Sequence, residues 1–175
     1  LTYEWKLLNQ GGIVDRSISG KKDPIIKLGD LDNDNDLDLI YGSSSGGSTG
    51  LYPTIIYNFD GKRLVRSDKS NMLSDVYKIT DAEIGDINGD GTPDILINNF
   101  SNNSTNNLKL YLSSTSGYTN VNLGEGLYEA KGRVLDLNND GQSEVTLTGI
   151  TSTTTSGVPK FYIYEYDKVE GSFKE

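Results

Sequence analysis

Three short apolar runs recur along the chain, and each directly follows a run of acidic and amide residues. The apolar runs are residues 39–41, 95–97 and 145–147. They are too short for helices and are rich in residues that favour strands. Each is followed by a stretch dominated by Ser, Thr, Asn and Gly, at 42–50, 98–107 and 149–157. These polar stretches predict loops.

A pair of strand-like segments separated by a turn follows each polar stretch. The pairs cover residues 54–66, 108–122 and 160–174, with the turns at Asp60-Gly61, Gly117 and Gly171. Glycine and Asp-Gly between apolar segments are typical of β-hairpins. The sequence therefore predicts four strands in each unit. Residues 3–14 repeat the hairpin pattern without a preceding acidic run, so we expect the chain to begin in the middle of a unit.

The units repeat at a nearly fixed spacing. Their acidic segments align without gaps at 30–38, 86–94 and 136–144. A repeat of about 50 residues with four strands has the size of a β-propeller blade, and four to eight blades close a ring. The sequence therefore predicts an all-β fold of about three and a half four-stranded antiparallel blades, which form an arc of a larger propeller.

This arc divides into four predicted segments. Residues 1–19 would be the outer hairpin of a preceding blade, and 20–77, 78–127 and 128–175 would each be a blade with one acidic loop. We expect these segments to form one domain or part of one, with the ring closed by further blades of a parent chain or by other subunits.

The acidic loops have the composition of a site for a hard cation. Side-chain oxygens at loop positions 1, 3, 5 and 9 can converge on one point, and position 7 would add its backbone carbonyl. Position 6 is Asn or Gly, which accept positive φ, and the apolar position 2 would pin the loop to the interior of the blade. The candidate ligands are Asp30, Asp32, Asp34, Asp36, Asp38, Asp86, Asn88, Asp90, Thr92, Asp94, Asp136, Asn138, Asp140, Gln142 and Glu144.

Oxygen-only ligand sets favour Ca²⁺ over Zn²⁺ or Mg²⁺, so the sequence predicts three calcium sites. An EF-hand would need a Glu at position 12, where this chain has Tyr41, Ile97 and Leu147 in predicted strands. The simpler alternative is that these segments are solvated turns. Three aligned copies favour the metal interpretation.

Charge and composition narrow the choice of function. The chain has 25 acidic and 16 basic residues, a net charge of −9, and the loops hold eleven of the acids. Three calcium ions would change the net charge from −9 to −3 and relieve repulsion among the loop acids. We therefore expect metal binding and folding to be coupled. The net negative charge argues against nucleic-acid binding. The sequence has no His, no Cys and no apolar run long enough for a membrane span, and it shows no catalytic constellation.

An apolar strand, an acidic DxDxDG-type loop and a second apolar strand, repeated every 50 to 60 residues, resemble the FG-GAP/VCBS repeat of integrin α-subunit propellers and secreted bacterial proteins. The closest match to that motif is residues 84–97, whereas the family's Phe-Gly and Gly-Ala-Pro signatures are not clear. The resemblance implies that each calcium loop joins the first two strands of a blade. It also implies that ligands bind at the opposite face, where the polar loops and the connections 67–77 and 123–128 would lie.

The resemblance favours a secreted or cell-surface adhesion module that recognises glycan or protein, and not an enzyme. Tyr52, Phe100 and Tyr128 lie in or beside the expected binding loops and could stack on sugars or anchor a partner, although ordinary blade packing or isolated exposure is the stronger explanation for each. Two alternatives stay open. The chain could be a catalytic or non-catalytic propeller portion of a secreted carbohydrate-active enzyme, or a scaffold within a larger surface or toxin assembly.

Overall fold

The computed structural model describes residues 22–45, 54–73, 76, 78–99, 108–114, 116–152 and 156–175. Within these residues the fold is all-β. The predicted hairpin at 1–19, together with Tyr52 and Phe100, lies outside the described residues.

In the described part of the chain, twelve strands form three four-stranded antiparallel sheets in chain order, β1-β2-β3-β4, β5-β6-β7-β8 and β9-β10-β11-β12. A 3-10 helix, Asp68–Leu73, follows β4. The strands are β1 Lys22–Gly29, β2 Asp38–Ser45, β3 Ile55–Phe59, β4 Leu64–Arg66, β5 Ile79–Gly85, β6 Asp94–Asn99, β7 Leu108–Ser114, β8 Gly117–Val121, β9 Tyr128–Leu135, β10 Glu144–Ile150, β11 Pro159–Asp167 and β12 Ser172–Lys174.

The predicted apolar strands and hairpins are confirmed, but the polar loops begin later than expected. The second strand of each sheet continues into the polar stretch, as far as Ser45, Asn99 and Ile150. Backbone pairing explains the difference, because these residues remain hydrogen-bonded to the first strand whatever their side chains are. The connection at 67–77 contains the 3-10 helix, which the sequence pattern did not predict.

The sheets pack face to face in chain order. Between the first and second sheets, Ile40 and Ile56 join Ile95 and Ile97 in one buried cluster. Between the second and third sheets, Leu96, Leu110, Val145 and Leu147 belong to a second cluster. Alternation along the central strands supplies both clusters, because neighbouring residues such as Ile95 and Leu96 point to opposite faces.

A buried amide fixes the second sheet to the third. Asn98 Oδ1 accepts a hydrogen bond from the Gly132 N–H at 2.7 Å, and Asn98 Nδ2 donates to the Gly132 carbonyl at 3.2 Å. The side chain thereby satisfies both backbone groups of a β9 residue. A buried asparagine in a position that sequence reasoning assigned to a loop is thus a packing residue.

Charged side chains link the first strands of the three sheets. Lys27, Glu83 and Arg133 occupy the same repeat position, three residues before each acidic loop. Lys27 Nζ lies 2.8 Å from Glu83 Oε2, and Arg133 pairs with both Glu83 and Asp81. The first strands therefore run beside one another, with opposite charges facing across each gap.

The far face of the third sheet is exposed. At loop position 2, Leu31 is 1% and Ile87 0% exposed, but Leu137 is 51% exposed. The expectation that all three pin their loops to the interior was therefore wrong for Leu137. Leu31 and Ile87 belong to the clusters between sheets, whereas no further sheet in the described part of the chain covers the third.

Candidate metal centre

The three acidic loops occupy equivalent places in the sheets. Each connects the first strand to the second: β1 to β2, β5 to β6, and β9 to β10. We call them loop 1 (30–38), loop 2 (86–94) and loop 3 (136–144). The prediction from the repeat, that the loop joins the first two strands of each unit, matches this arrangement.

The carboxylate at loop position 1 folds each loop around itself. Its two oxygens accept hydrogen bonds from the N–H groups of positions 5 and 6. In loop 1, Asp30 accepts from Asp34 at 3.2 Å and from Asn35 at 2.9 Å. The corresponding distances are 3.0 and 2.8 Å to Asp86 in loop 2, and 3.2 and 3.0 Å to Asp136 in loop 3. The position-5 carboxylate accepts the position-7 N–H at 2.8 Å in every loop. The backbone thus curls around the side chains of positions 1 and 5.

Two backbone positions in each loop are left-handed. Position 6 has positive φ in all three loops, as the sequence predicted, with values of 69° at Asn35, 82° at Gly91 and 90° at Gly141. Position 4 is also left-handed, at Asn33, Gly89 and Asn139. Sequence reasoning missed position 4, although Asn and Gly are the residues that tolerate this conformation best.

The carboxylate at position 9 is buried at the start of the second strand. Asp38 accepts N–H groups from Leu31 at 2.8 Å and from Phe59 at 3.1 Å. Asp94 accepts from Ile87 and Ser113 in the same way, at 2.8 and 2.7 Å. Burial raises the pKa of both carboxyl groups, against the lowering effect of these hydrogen bonds. A nearby cation would favour their charged forms.

Glu144 differs from its counterparts at position 9. It is 4% exposed, and its Oε2 accepts the Leu137 N–H at 2.7 Å. Within the described part of the chain, its Oε1 has no hydrogen-bond partner. A buried carboxylate oxygen without a donor is costly, and a metal ion would satisfy it. Loop 3 therefore contains an oxygen suited to a cation.

Loop 1 brings carboxylates closest together. Oxygens of Asp30, Asp32 and Asp38 lie within 4.8 Å of one another, the one such trio among the described residues. Asp34, a further candidate, caps the Asp36 N–H. Crowded carboxylates repel one another unless a cation or a donor lies between them. This donor set of oxygens alone fits a calcium ion.

Loops 2 and 3 have an amide at position 3. Asn88 Oδ1 accepts the Asp90 N–H at 2.9 Å, and Asn138 Oδ1 accepts the Asp140 N–H at 3.0 Å. Their amide nitrogens lie 3.1 and 3.0 Å from the position-5 carboxylates. The amide therefore reduces repulsion inside these two loops, where loop 1 has a third carboxylate.

Position 7 is held from outside its loop in loops 2 and 3. The Thr92 carbonyl accepts a 3.4 Å hydrogen bond from Ser113 Oγ. The buried Gln142 side chain donates to the Tyr166 carbonyl at 2.7 Å. The sequence pointed to the position-7 backbone as a ligand, but it gave no sign that the Gln142 side chain anchors loop 3 to β11.

Residues outside the candidate ligand set also contact the loops. Asn58 Nδ2 in β3 donates to Asp32 Oδ2 at 2.7 Å. Asn33 Nδ2 of loop 1 donates to the Gly91 carbonyl of loop 2 at 2.6 Å, and the Ser143 N–H of loop 3 donates to the Asp86 carbonyl at 2.7 Å. The Asn58 contact depends on strand pairing within the first sheet and the other two on how the sheets pack, so loop spacing alone does not reveal them.

In loop 1, the carboxylates of positions 1, 3 and 9 come close enough to hold one calcium ion. Among the described residues, the acids of loops 2 and 3 form no such trio, although these loops have oxygen-bearing side chains at the same positions. A bound ion would supply positive charge at the buried carboxylates. The chain's own residues shape the loop, orient the oxygens and exclude water from position 9.

Comparison with known proteins agrees with this geometry. Residues 29–97, from the end of β1 through loops 1 and 2 into β6, match the family model of the FG-GAP-like repeat. No curated protein matches the chain. Loop 3 lies beyond the matched segment but repeats its hydrogen bonding at positions 1, 5 and 9. Residues 29–97 of this chain are therefore similar to the FG-GAP-like repeat.

Proposed function

We propose that the chain is a calcium-stabilised β-propeller module that binds glycan or protein outside the cell. The buried, unpartnered Oε1 of Glu144 is the observation that carries the calcium assignment. It lies at loop position 9, where the other two loops have the buried carboxylates of Asp38 and Asp94, and burial raises the pKa of those two groups. Calcium would neutralise these charges, and stability would then depend on the metal.

The arrangement of the sheets supports the propeller. Each sheet is a four-stranded antiparallel meander that packs on the next, with its acidic loop beside the next loop. The first strands lie side by side and are linked by the ion pairs of Lys27, Glu83 and Arg133, as strands near a propeller axis would be. Propellers repeat such sheets radially. The exposed Leu137 marks the side on which a further blade would pack.

Recognition is proposed at the edge opposite the acidic loops. The connection between the second and third sheets, residues 122–127, lies there beside Tyr128, which is half-buried at the start of β9. A partly exposed aromatic ring beside a connection suits stacking on a sugar or contact with a protein. A role at the cell surface agrees with the FG-GAP-like repeat, and among the described residues no helix has the length and apolar character needed to cross a bilayer.

A binding role is favoured over catalysis by the state of the acids outside the loops. A glycosidase requires two carboxylates about 5–10 Å apart across a cleft. Glu83 and Asp81 are paired with Arg133, Asp60 caps the turn after β3, and Asp167 caps the turn after β11. These acids stabilise the fold, so they are engaged in roles other than acid–base chemistry.

Glycan-array and cell-surface binding of the intact protein that contains this chain would test the proposal. We expect selective binding without turnover in calcium, and loss of binding in EGTA as the module unfolds. Turnover of a bound glycan would support an enzyme instead. Calcium-independent folding with no binding to glycan or cells would contradict the proposed function.

A further inference from the structure

Hydrogen bonds connect the three acidic loops to one another. Loop 2 is contacted from both sides. Asn33 Nδ2 of loop 1 donates to the Gly91 carbonyl at 2.6 Å, and the Ser143 N–H of loop 3 donates to the Asp86 carbonyl at 2.7 Å. Both acceptors belong to the loop 2 backbone.

The acceptor peptides belong to the part of loop 2 that would surround the ion. The Gly91 carbonyl belongs to the peptide whose N–H, on Thr92, donates to Asp90 at 2.8 Å. The Gly91 N–H itself donates to Asp86 at 2.8 Å. A donor fixed on the Gly91 carbonyl therefore orients the backbone that follows Asp90, where the N–H groups of Gly91 and Thr92 donate to the candidate ligands Asp86 and Asp90.

The donors are ordered by their own loops. The Asn33 N–H donates to Asp30 Oδ1 at 2.7 Å, so the position-1 carboxylate of loop 1 places the residue that reaches loop 2. Ser143 directly precedes Glu144, the residue with the unpartnered buried oxygen. Whatever orders Asp30 or Glu144 also orders a donor to loop 2.

We propose that calcium binding at the three loops is positively coupled, with loop 2 linked to loop 1 through Asn33 and to loop 3 through Ser143. Binding at one loop restricts the donor that holds the next, so the second ion meets a loop that is already partly ordered. This inference rests on the proposed calcium binding. Coupling is reciprocal, so each loop must raise the affinity of its neighbour by the same factor.

Asn33 and Asn139 offer a matched pair of variants. Both occupy position 4 with left-handed backbone, at φ 66° and 61°, but Asn33 is the one with a hydrogen bond to a neighbouring loop in the described structure. Loop 2 has Gly89 at that position, so Asn33→Gly and Asn139→Gly each install a residue that the repeat already uses. Both variants should fold.

The test is a calcium titration of the full 175-residue chain followed by NMR. The N–H groups of Asn35, Gly91 and Gly141 report on loops 1, 2 and 3, because each donates to its own position-1 carboxylate. In Asn33→Gly, the midpoint of the more weakly binding of loops 1 and 2, reported by Asn35 or Gly91, should rise by roughly two- to tenfold, the range expected for one net hydrogen bond. Asn139→Gly removes no described hydrogen bond between loops, so it shows the effect of glycine at position 4 alone, and this midpoint should rise less than in Asn33→Gly.

The outcomes separate the two proposals. Unchanged Asn35 and Gly91 midpoints in Asn33→Gly, with calcium still bound, would overturn the coupling alone. No calcium-dependent shift at any of the three amides would overturn both the coupling and the calcium assignment.

Discussion

Val134 of β9 packs directly against the backbone of Gly85 in β5, and a Cβ built on Gly85 would lie 2.6 Å from Val134 Cγ1. Side-chain carbons do not pack that closely. The same relationship recurs one sheet earlier, where a Cβ on Gly29 would lie 2.7 Å from Ile84 Cδ1. Consecutive sheets therefore meet where a glycine on one first strand faces an aliphatic side chain on the next.

Replacing Gly85 with alanine should destabilise the chain by about 1–3 kcal/mol, because valine is stiff and the packed sheets cannot easily separate. Val134→Ala in the same molecule should recover part of that loss. Urea unfolding of the two single variants and the double variant gives the coupling energy between the two positions. Strictly additive effects would show that the sheets do not meet at this contact.

Loop position 2 provides a comparison across all three repeats. Leu31→Ala and Ile87→Ala should each cost about 2–4 kcal/mol, because both side chains are buried between sheets. Leu137→Ala should change the free energy of unfolding by no more than about 0.5 kcal/mol, because Leu137 is largely exposed. Urea unfolding of the three variants is the measurement. A large loss in Leu137→Ala would contradict the exposure of the third sheet.

Glu144→Gln should separate metal binding from folding at loop 3. The amide keeps the size of the side chain and removes the charge from a buried position, so stability in EGTA should be unchanged or slightly higher. In calcium, the increase in melting temperature should be smaller than that of the wild-type chain. Glu125→Gln, in the exposed turn before β9, is the control and should behave as wild type in both conditions. An undiminished calcium response in Glu144→Gln would argue against a metal at loop 3.

The turn after β11 should be sensitive to acid. The Lys174 ammonium, with the N–H groups of Glu170 and Val169, lowers the pKa of Asp167 from its usual 3.8 to about 2. The unfolded chain then binds the proton more tightly, so this stabilisation is complete above pH 3.8 and is lost as the pH falls toward 2.

The measurement for that turn is the melting temperature of wild type and Asp167→Asn across the same pH range. The difference between them should shrink as the pH falls from 3.8 to about 2. Glu170→Gln removes an equal charge without removing the carboxylate that caps the turn, and it should not reproduce this pH dependence. A difference that stays constant with pH would contradict the assignment.

The sequence predicted the strands, the hairpins and the positions of the acidic loops, because these depend on local periodicity and turn chemistry. It did not predict that Asn98 would be buried, since that asparagine is paired with Gly132 of a different sheet. Leu31 and Leu137 are identical in type and loop position, and only the neighbouring sheet distinguishes them. The unpartnered oxygen of Glu144 likewise depends on the fold around it.

Calcium titration of the purified chain by calorimetry, together with its melting temperature in calcium and in EGTA, determines whether the acidic loops are calcium sites. We expect three bound ions per chain and a lower melting temperature in EGTA. An ion at 100 times its dissociation constant contributes about 2.7 kcal/mol at each independent site. No measurable binding, with the same melting temperature in calcium and EGTA, would contradict the assignment of the acidic loops as calcium sites.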